Sequence, residues 1–99
     1  MLQRKISWDK QAIIYFSVAI RYIRKESPQN ADKVKKEILQ KIKALVQKPK
    51  IHAPDKYKSN NKGNYRAFEL HRFRVSYLVK KNEIIISRIR HTSQEPLDY

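Results

Sequence analysis

Glu69, Arg74 and His91 carry groups that could work together at a phosphate. A carboxylate and an imidazole can exchange protons, and a guanidinium can neutralise an oxyanion. Metal-independent cleavage of RNA by its own 2′-hydroxyl calls for such a set. Whether the three meet is a question of register. A two-residue turn at His71-Arg72 sets Glu69 across from Arg74, although neither turn residue is the Gly or Asn that such turns prefer. A two-residue turn at Lys81-Asn82 then places Arg74 and Ser76 on one face with Ile85, Ser87, Ile89 and His91. Arg88 and Arg90 fall at the core-side edge in this register. A plainer reading stands beside the catalytic one. Glu69 opposite Arg74 is then a cross-strand ion pair, and His91 only ends a strand.

A second set of cations lies upstream. Lys56, Lys58 and Lys62 are candidate phosphate contacts, Tyr57 among them could stack on a base, and Arg66 follows closely. The alternative is a solvated lysine-rich loop. His52 has no metal-ligand spacing to His71 or His91, and cysteine is absent, so no metal site or disulfide is expected.

These groups need a scaffold. Tyr65–Leu70, Phe73–Val79 and Ile84–Arg90 are short runs rich in β-branched and aromatic residues, and they read as an antiparallel meander. The middle run alternates, with Phe73, Val75, Tyr77 and Val79 on one face and Arg74, Ser76 and Leu78 on the other. Gln3 to Trp8 is a further strand candidate. From Ala12 the period becomes helical through Ile13, Phe16, Ala19, Ile20 and Ile23, and Tyr15, Val18 and Tyr22 widen the stripe enough to predict a deeply packed helix. Asp9 suits its start, and Arg21, Arg24 and Lys25 suit its end. Ser27-Pro28 caps a second helix running to about Gln47, with Ala31, Val34, Ile38, Ile42 and Leu45 as its stripe. Residues 50–62 show no periodicity. The expected order is β-α-α-β-β-β, an α+β fold in which an antiparallel helical hairpin covers one face of a mainly antiparallel four-stranded sheet.

Ninety-nine residues make a single domain, 1–99. Lysine and arginine number 23 against 9 acids, a net charge of +14 that points to a polyanionic partner. No apolar run approaches the ~20 residues needed to span a bilayer, and Met1-Leu2-Gln3-Arg4-Lys5 leads into no signal-like segment. With no cysteine, the expected compartment is the cytoplasm, with no membrane contact and no cofactor.

Several short segments, taken in order, resemble the RelE/ParE superfamily of toxins from bacterial type II toxin–antitoxin systems. They are Ile6-Ser7-Trp8 followed by Ala12, Ser27-Pro28-Gln29-Asn30-Ala31, Lys48-Pro49, Tyr65-Arg66, Glu69-Leu70, Phe73-Arg74-Val75-Ser76-Tyr77, and Arg88-Ile89-Arg90-His91 with Gln94-Glu95-Pro96. The resemblance implies a toxin of the plasmid stabilisation type, silenced by a cognate antitoxin held against the helices and an exposed sheet edge. RelE-like members are ribosome-dependent mRNA interferases, and ParE-like members poison DNA gyrase. The ending from Arg88 to Pro96 looks ParE-like, whereas the charge suits a ribosome-bound nuclease. Arg74 matches a strand arginine that the interferases use on the phosphate, and Tyr99 falls near their C-terminal tyrosine. Their second arginine has no match, Ser93 standing in its place. Arg88 and Arg90 would pair with antitoxin acids or with Glu95 and Asp98. Gyrase inhibition is the favoured expectation. The alternatives are an endoribonuclease and a non-toxic basic nucleic-acid-binding domain, so whether the chain is an enzyme stays open here.

Overall fold

Asp9 and Ser27 set the ends of the helical hairpin. The Asp9 carboxylate accepts the Gln11 N–H at 2.9 Å and starts α1 (Lys10–Glu26). Ser27 serves both helices. Its N–H donates to the Ile23 carbonyl, and its hydroxyl accepts the Asn30 N–H at 3.2 Å to open α2 (Pro28–Ala44), with Pro28 in the first turn. The regular helix stops at Ala44 rather than near Gln47. Leu45, Val46 and Gln47 instead donate three residues back, which tightens the chain before Pro49.

The computed structural model describes residues 4–94 and 98–99. Strand β1 (Lys5–Trp8) precedes the hairpin, and β2 (Tyr65–Leu70), β3 (Phe73–Val79) and β4 (Glu83–His91) follow it, in the expected order. Gln3, expected to begin the first strand, lies outside the described residues, as do Glu95 and Pro96. The sheet order is β1-β4-β3-β2, with β1 parallel to β4 and the remaining pairs antiparallel. The α2 stripe from Ala31 to Leu45 is buried as its spacing requires, against Val75, Tyr77, Ile84 and Ile86 from the sheet. No helix among the described residues is long and apolar enough to cross a membrane.

Two expectations are corrected. The first concerns α1, which is not deeply packed. Ala12, Phe16 and Ile20 are buried, but Ile13, Ile14, Val18 and Tyr22 stand in solvent, Val18 at 54% and Tyr22 at 68% exposure. Among the described residues the two-layer fold places no element over the outer side of this helix, so its widened stripe stays uncovered.

The second correction concerns β4. Pairing follows the expected register from Val79↔Ile84 to Tyr77↔Ile86. Ser76 then faces Arg88 instead of Ser87, because Ser87 is an extra residue in a β-bulge. Its hydroxyl donates to the Ser76 carbonyl at 3.2 Å. Beyond the bulge every side chain changes face. Arg88 and Arg90 join Arg74 on the side away from the helices, while Ile89 enters the core and His91 pairs with Phe73.

The long segment between α2 and β2 is tied down rather than solvated. Tyr77 donates its hydroxyl to the Pro49 carbonyl at 3.0 Å. Asn61 binds main-chain groups of Asp55, Gly63 and Tyr65. Residues 53–54 pair with Arg66 and Ala67 and so cover the outer edge of β2.

Candidate target-binding face

The sheet surface away from the helices is organised by Arg74. The His71-Arg72 turn forms as expected and holds Glu69 opposite Arg74. It does so with both turn residues at positive φ, 52° and 65°, a conformation that non-glycine residues adopt at a cost. His71 is anchored to Glu37 of α2 at 2.8 Å. One arm of the Arg74 fork donates to Glu69 at 2.9 Å, and the other donates to Asp55 at 2.9 Å. The guanidinium also lies over the Tyr57 ring, 4.8 Å from its centroid.

Asp55 is the residue that sequence reasoning missed. It is 2% exposed, yet it sits in the lysine-rich segment. Besides Arg74 it accepts the Tyr57 N–H at 3.1 Å and the Tyr99 hydroxyl at 2.5 Å. Burial alone would raise its pKa. Hydrogen bonds from Tyr99, Arg74 and Ser76 and from the Tyr57 amide outweigh burial and hold the carboxyl below its ordinary value. Burial likewise opposes the charge of Arg74, and Asp55 and Glu69 overcome it, leaving that pKa raised. Burial first, and the bond to Asp55 next, push the Tyr99 phenol up to about 12.

Tyr99 is held by main chain as well. Its N–H donates to the Tyr57 carbonyl at 2.9 Å, and its main-chain oxygen accepts from Ser59 N–H and the Lys58 ammonium. Arg88 lies over its ring at 4.5 Å. Burial and the neighbouring Arg90 lower the Arg88 pKa.

The expected site residues therefore divide. Glu69, Arg74 and Tyr99 come together around Asp55, lining a pocket of about 60 Å³ with Arg88 and Arg90. The bulge corrects the expectation that His91 shares a face with Arg74, although His91 still lines this pocket. Its ring meets Phe73 edge-on at 5.4 Å, and its Nδ1 accepts the Ser93 N–H at 3.1 Å. Arg88 and Arg90, expected at the core-side edge, lie on the open face for the same reason. Arg66 holds the loop, donating to the Gly63 and His52 carbonyls at 3.1 and 2.7 Å. Lys56 lies over the Tyr57 ring and Lys58 over Tyr65, while Lys62 is exposed.

The family model for the ParE toxin of the type II toxin–antitoxin system parDE matches residues 6–96. The chain belongs to the ParE toxin family. Its fold is also that of two solved structures. One is a chromosomal ParDE toxin–antitoxin system from P. aeruginosa, with TM-score 0.71, 23% identity, and coverage of 90% of this chain and 96% of the other. The other is a YoeB dimer from Staphylococcus aureus, with TM-score 0.59, 22% identity, and coverage of 90% and 97%. No curated protein sequence matches the chain. At 22% and 23% identity these two likenesses speak to the fold of this ParE-family chain alone.

Proposed function

We propose that this ParE-family chain is a toxin that acts in the cytoplasm by binding DNA gyrase, and that a cognate antitoxin silences it. The observation that carries the choice of binding over cleavage is the state of Arg74. Both arms of its fork are engaged by carboxylates, at 2.9 Å each. A phosphate arriving there would compete with Glu69 and with a buried Asp55. Tyr99 is bound to the same aspartate, and burial and that bond push its phenol up to about 12, far from the neutral range that favours acid–base work. The interferase reading keeps one observation, that Glu69, Arg74, His91 and Tyr99 line the same pocket.

The antitoxin has a natural seat elsewhere. Val18 and Tyr22 on α1, with Phe73 and His91, border a groove of about 600 Å³. An amphipathic helix docks in such a groove through its apolar side. Because residues 53–54 occupy the outer edge of β2, β1 is the edge left for strand addition among the described residues.

Induction of the chain alone in a host cell tests the target. Loss of plasmid supercoiling with intact mRNA is expected. Rapid mRNA cleavage with supercoiling preserved would select the interferase instead.

A further inference from the structure

We propose that the outer side of α2 is a second binding surface, which holds the phosphate backbone of duplex DNA through Lys33, Lys36 and Lys43. Helical spacing puts these three opposite the buried stripe of α2, with Gln29 and Gln40 beside them, and all five are exposed. The row from Lys33 to Lys43 runs roughly 15 Å along the axis at ~1.5 Å per residue. A duplex carries one negative charge per ~1.7 Å of its length, so such a row meets several phosphates.

The acids of α2 do not compensate this face. Asp32 pairs with Arg24 of α1 at 2.8 Å, and Glu37 is bound to His71 at 2.8 Å. Lys33, Lys36 and Lys43 have no ion-pair partner among the described residues. Other lysines are seated on rings, Lys41 over Phe68, Lys56 over Tyr57 and Lys58 over Tyr65. Arg21 and Lys35 line the groove between the helices and extend the basic surface onto α1. Like charges one turn apart weaken a helix, and a bound polyanion offsets that cost. The arginine-lined pocket of the open face includes no α2 residue, so DNA on this helix leaves that face clear for a protein.

The chemistry of the row selects the partner. Lysine is depleted at the centres of protein interfaces, and no aromatic anchor stands in this row. A single strand gains by stacking on aromatic side chains, and α2 contains none. A helix that lies in a membrane surface inserts its apolar side, and here that side, from Ala31 to Ile42, is buried in the core. The B-form major groove admits a helix, whereas that of A-form RNA is too narrow, so a lysine-lined helix ridge favours DNA.

The inference goes beyond the gyrase reading, and its test contains no gyrase, so the two can fail separately. A fluorescent DNA duplex of about 20 base pairs is titrated with the full chain between about 50 and 200 mM salt and followed by anisotropy. Combining Lys33→Gln, Lys36→Gln and Lys43→Gln should weaken binding by about tenfold or more at the lower salt. It should also lower the slope of log K against log salt by about 2–3. Combining Lys10→Gln, Lys80→Gln and Lys81→Gln removes the same charge from exposed positions off α2 and should change the slope by less than about 1. Equal losses from the two triple variants would reveal diffuse attraction and overturn the surface, as would a wild-type chain that leaves the duplex unbound. An RNA duplex, a single strand or anionic vesicles held as tightly as the DNA would overturn the choice of partner. In the wild-type chain, bound duplex should slow acetylation of Lys33, Lys36 and Lys43 more than that of Lys10, Lys80 and Lys81. Equal protection of both sets would overturn the surface without recourse to any variant.

Discussion

The two working surfaces of this toxin contrast in how far they are satisfied. On the open face of the sheet, Arg74, Asp55, Glu69 and Tyr99 bind one another through 2.5–2.9 Å hydrogen bonds. On the outer side of α1, Ile13, Ile14, Val18 and Tyr22 are uncovered. The groups that look reactive are tied together, and the groups that look like core stand in water. An engaged polar network costs little and gives a rigid surface. A bare apolar stripe is costly in a lone monomer, and under the proposed function it is where the antitoxin sits. The polar face is therefore built to keep its shape, and the apolar face to be covered.

The largest expected effect separates the two carboxylates of the Arg74 fork. Asp55→Ala should destabilise the fold by about 3–5 kcal/mol in denaturant unfolding, because it takes the buried partner from Arg74, leaving it only the half-exposed Glu69, and leaves the half-buried Tyr99 phenol without its acceptor. Glu69→Ala removes a bond of the same length from a half-exposed acid and should cost less than about 1 kcal/mol. Equal costs would mean that burial does not distinguish the two arms.

The apolar side should respond in the opposite sense. Val18→Lys should change unfolding free energy by less than about 0.5 kcal/mol, since Val18 packs little in the monomer. It should nevertheless weaken antitoxin binding by about tenfold or more in calorimetry, through a charge placed in an apolar contact. Unchanged binding would move the antitoxin off this groove.

Effects of pH should be smaller, and they belong to the polar face. The depressed Asp55 pKa stabilises the fold above the ordinary carboxylate value of 3.8, and that contribution is lost as pH falls through the folded value. The Tyr99 pKa is raised from 10.0 to about 12, so its contribution is complete below pH 10 and fades as pH rises through 12. Tyr99→Phe should flatten the alkaline limb of a stability–pH profile. Tyr77, also raised to about 12 by burial, keeps the remainder of it.

How much of this is legible in the sequence depends on the range of the interaction. The caps at Asp9 and Ser27 and the α2 stripe are local patterns, and they form where the residues place them. The Glu69–Arg74 pairing follows from a turn of two residues. The bulge is harder to see, but it leaves a trace. Ile84 and Ile86 keep the two-residue period, and the next apolar residue is Ile89 rather than position 88. One inserted residue restores the alternation and carries the arginines outward. Asp55 leaves no such trace. Its side-chain partners Arg74 and Tyr99 lie 19 and 44 positions away, and nothing local tells a buried acid from a solvated one. The exposed side of α1 misleads because an apolar stripe looks the same whether its own chain or another covers it.

The most direct test of the account is a double-mutant cycle of Asp55→Ala and Arg74→Ala, measured by equilibrium unfolding. A clasp between a buried aspartate and its arginine predicts a coupling energy of at least about 2 kcal/mol, with the double variant less destabilised than the two single losses added together. A coupling near zero would mean that Arg74 is not held by Asp55, and the case for a binding surface over a cleavage site would fail with it.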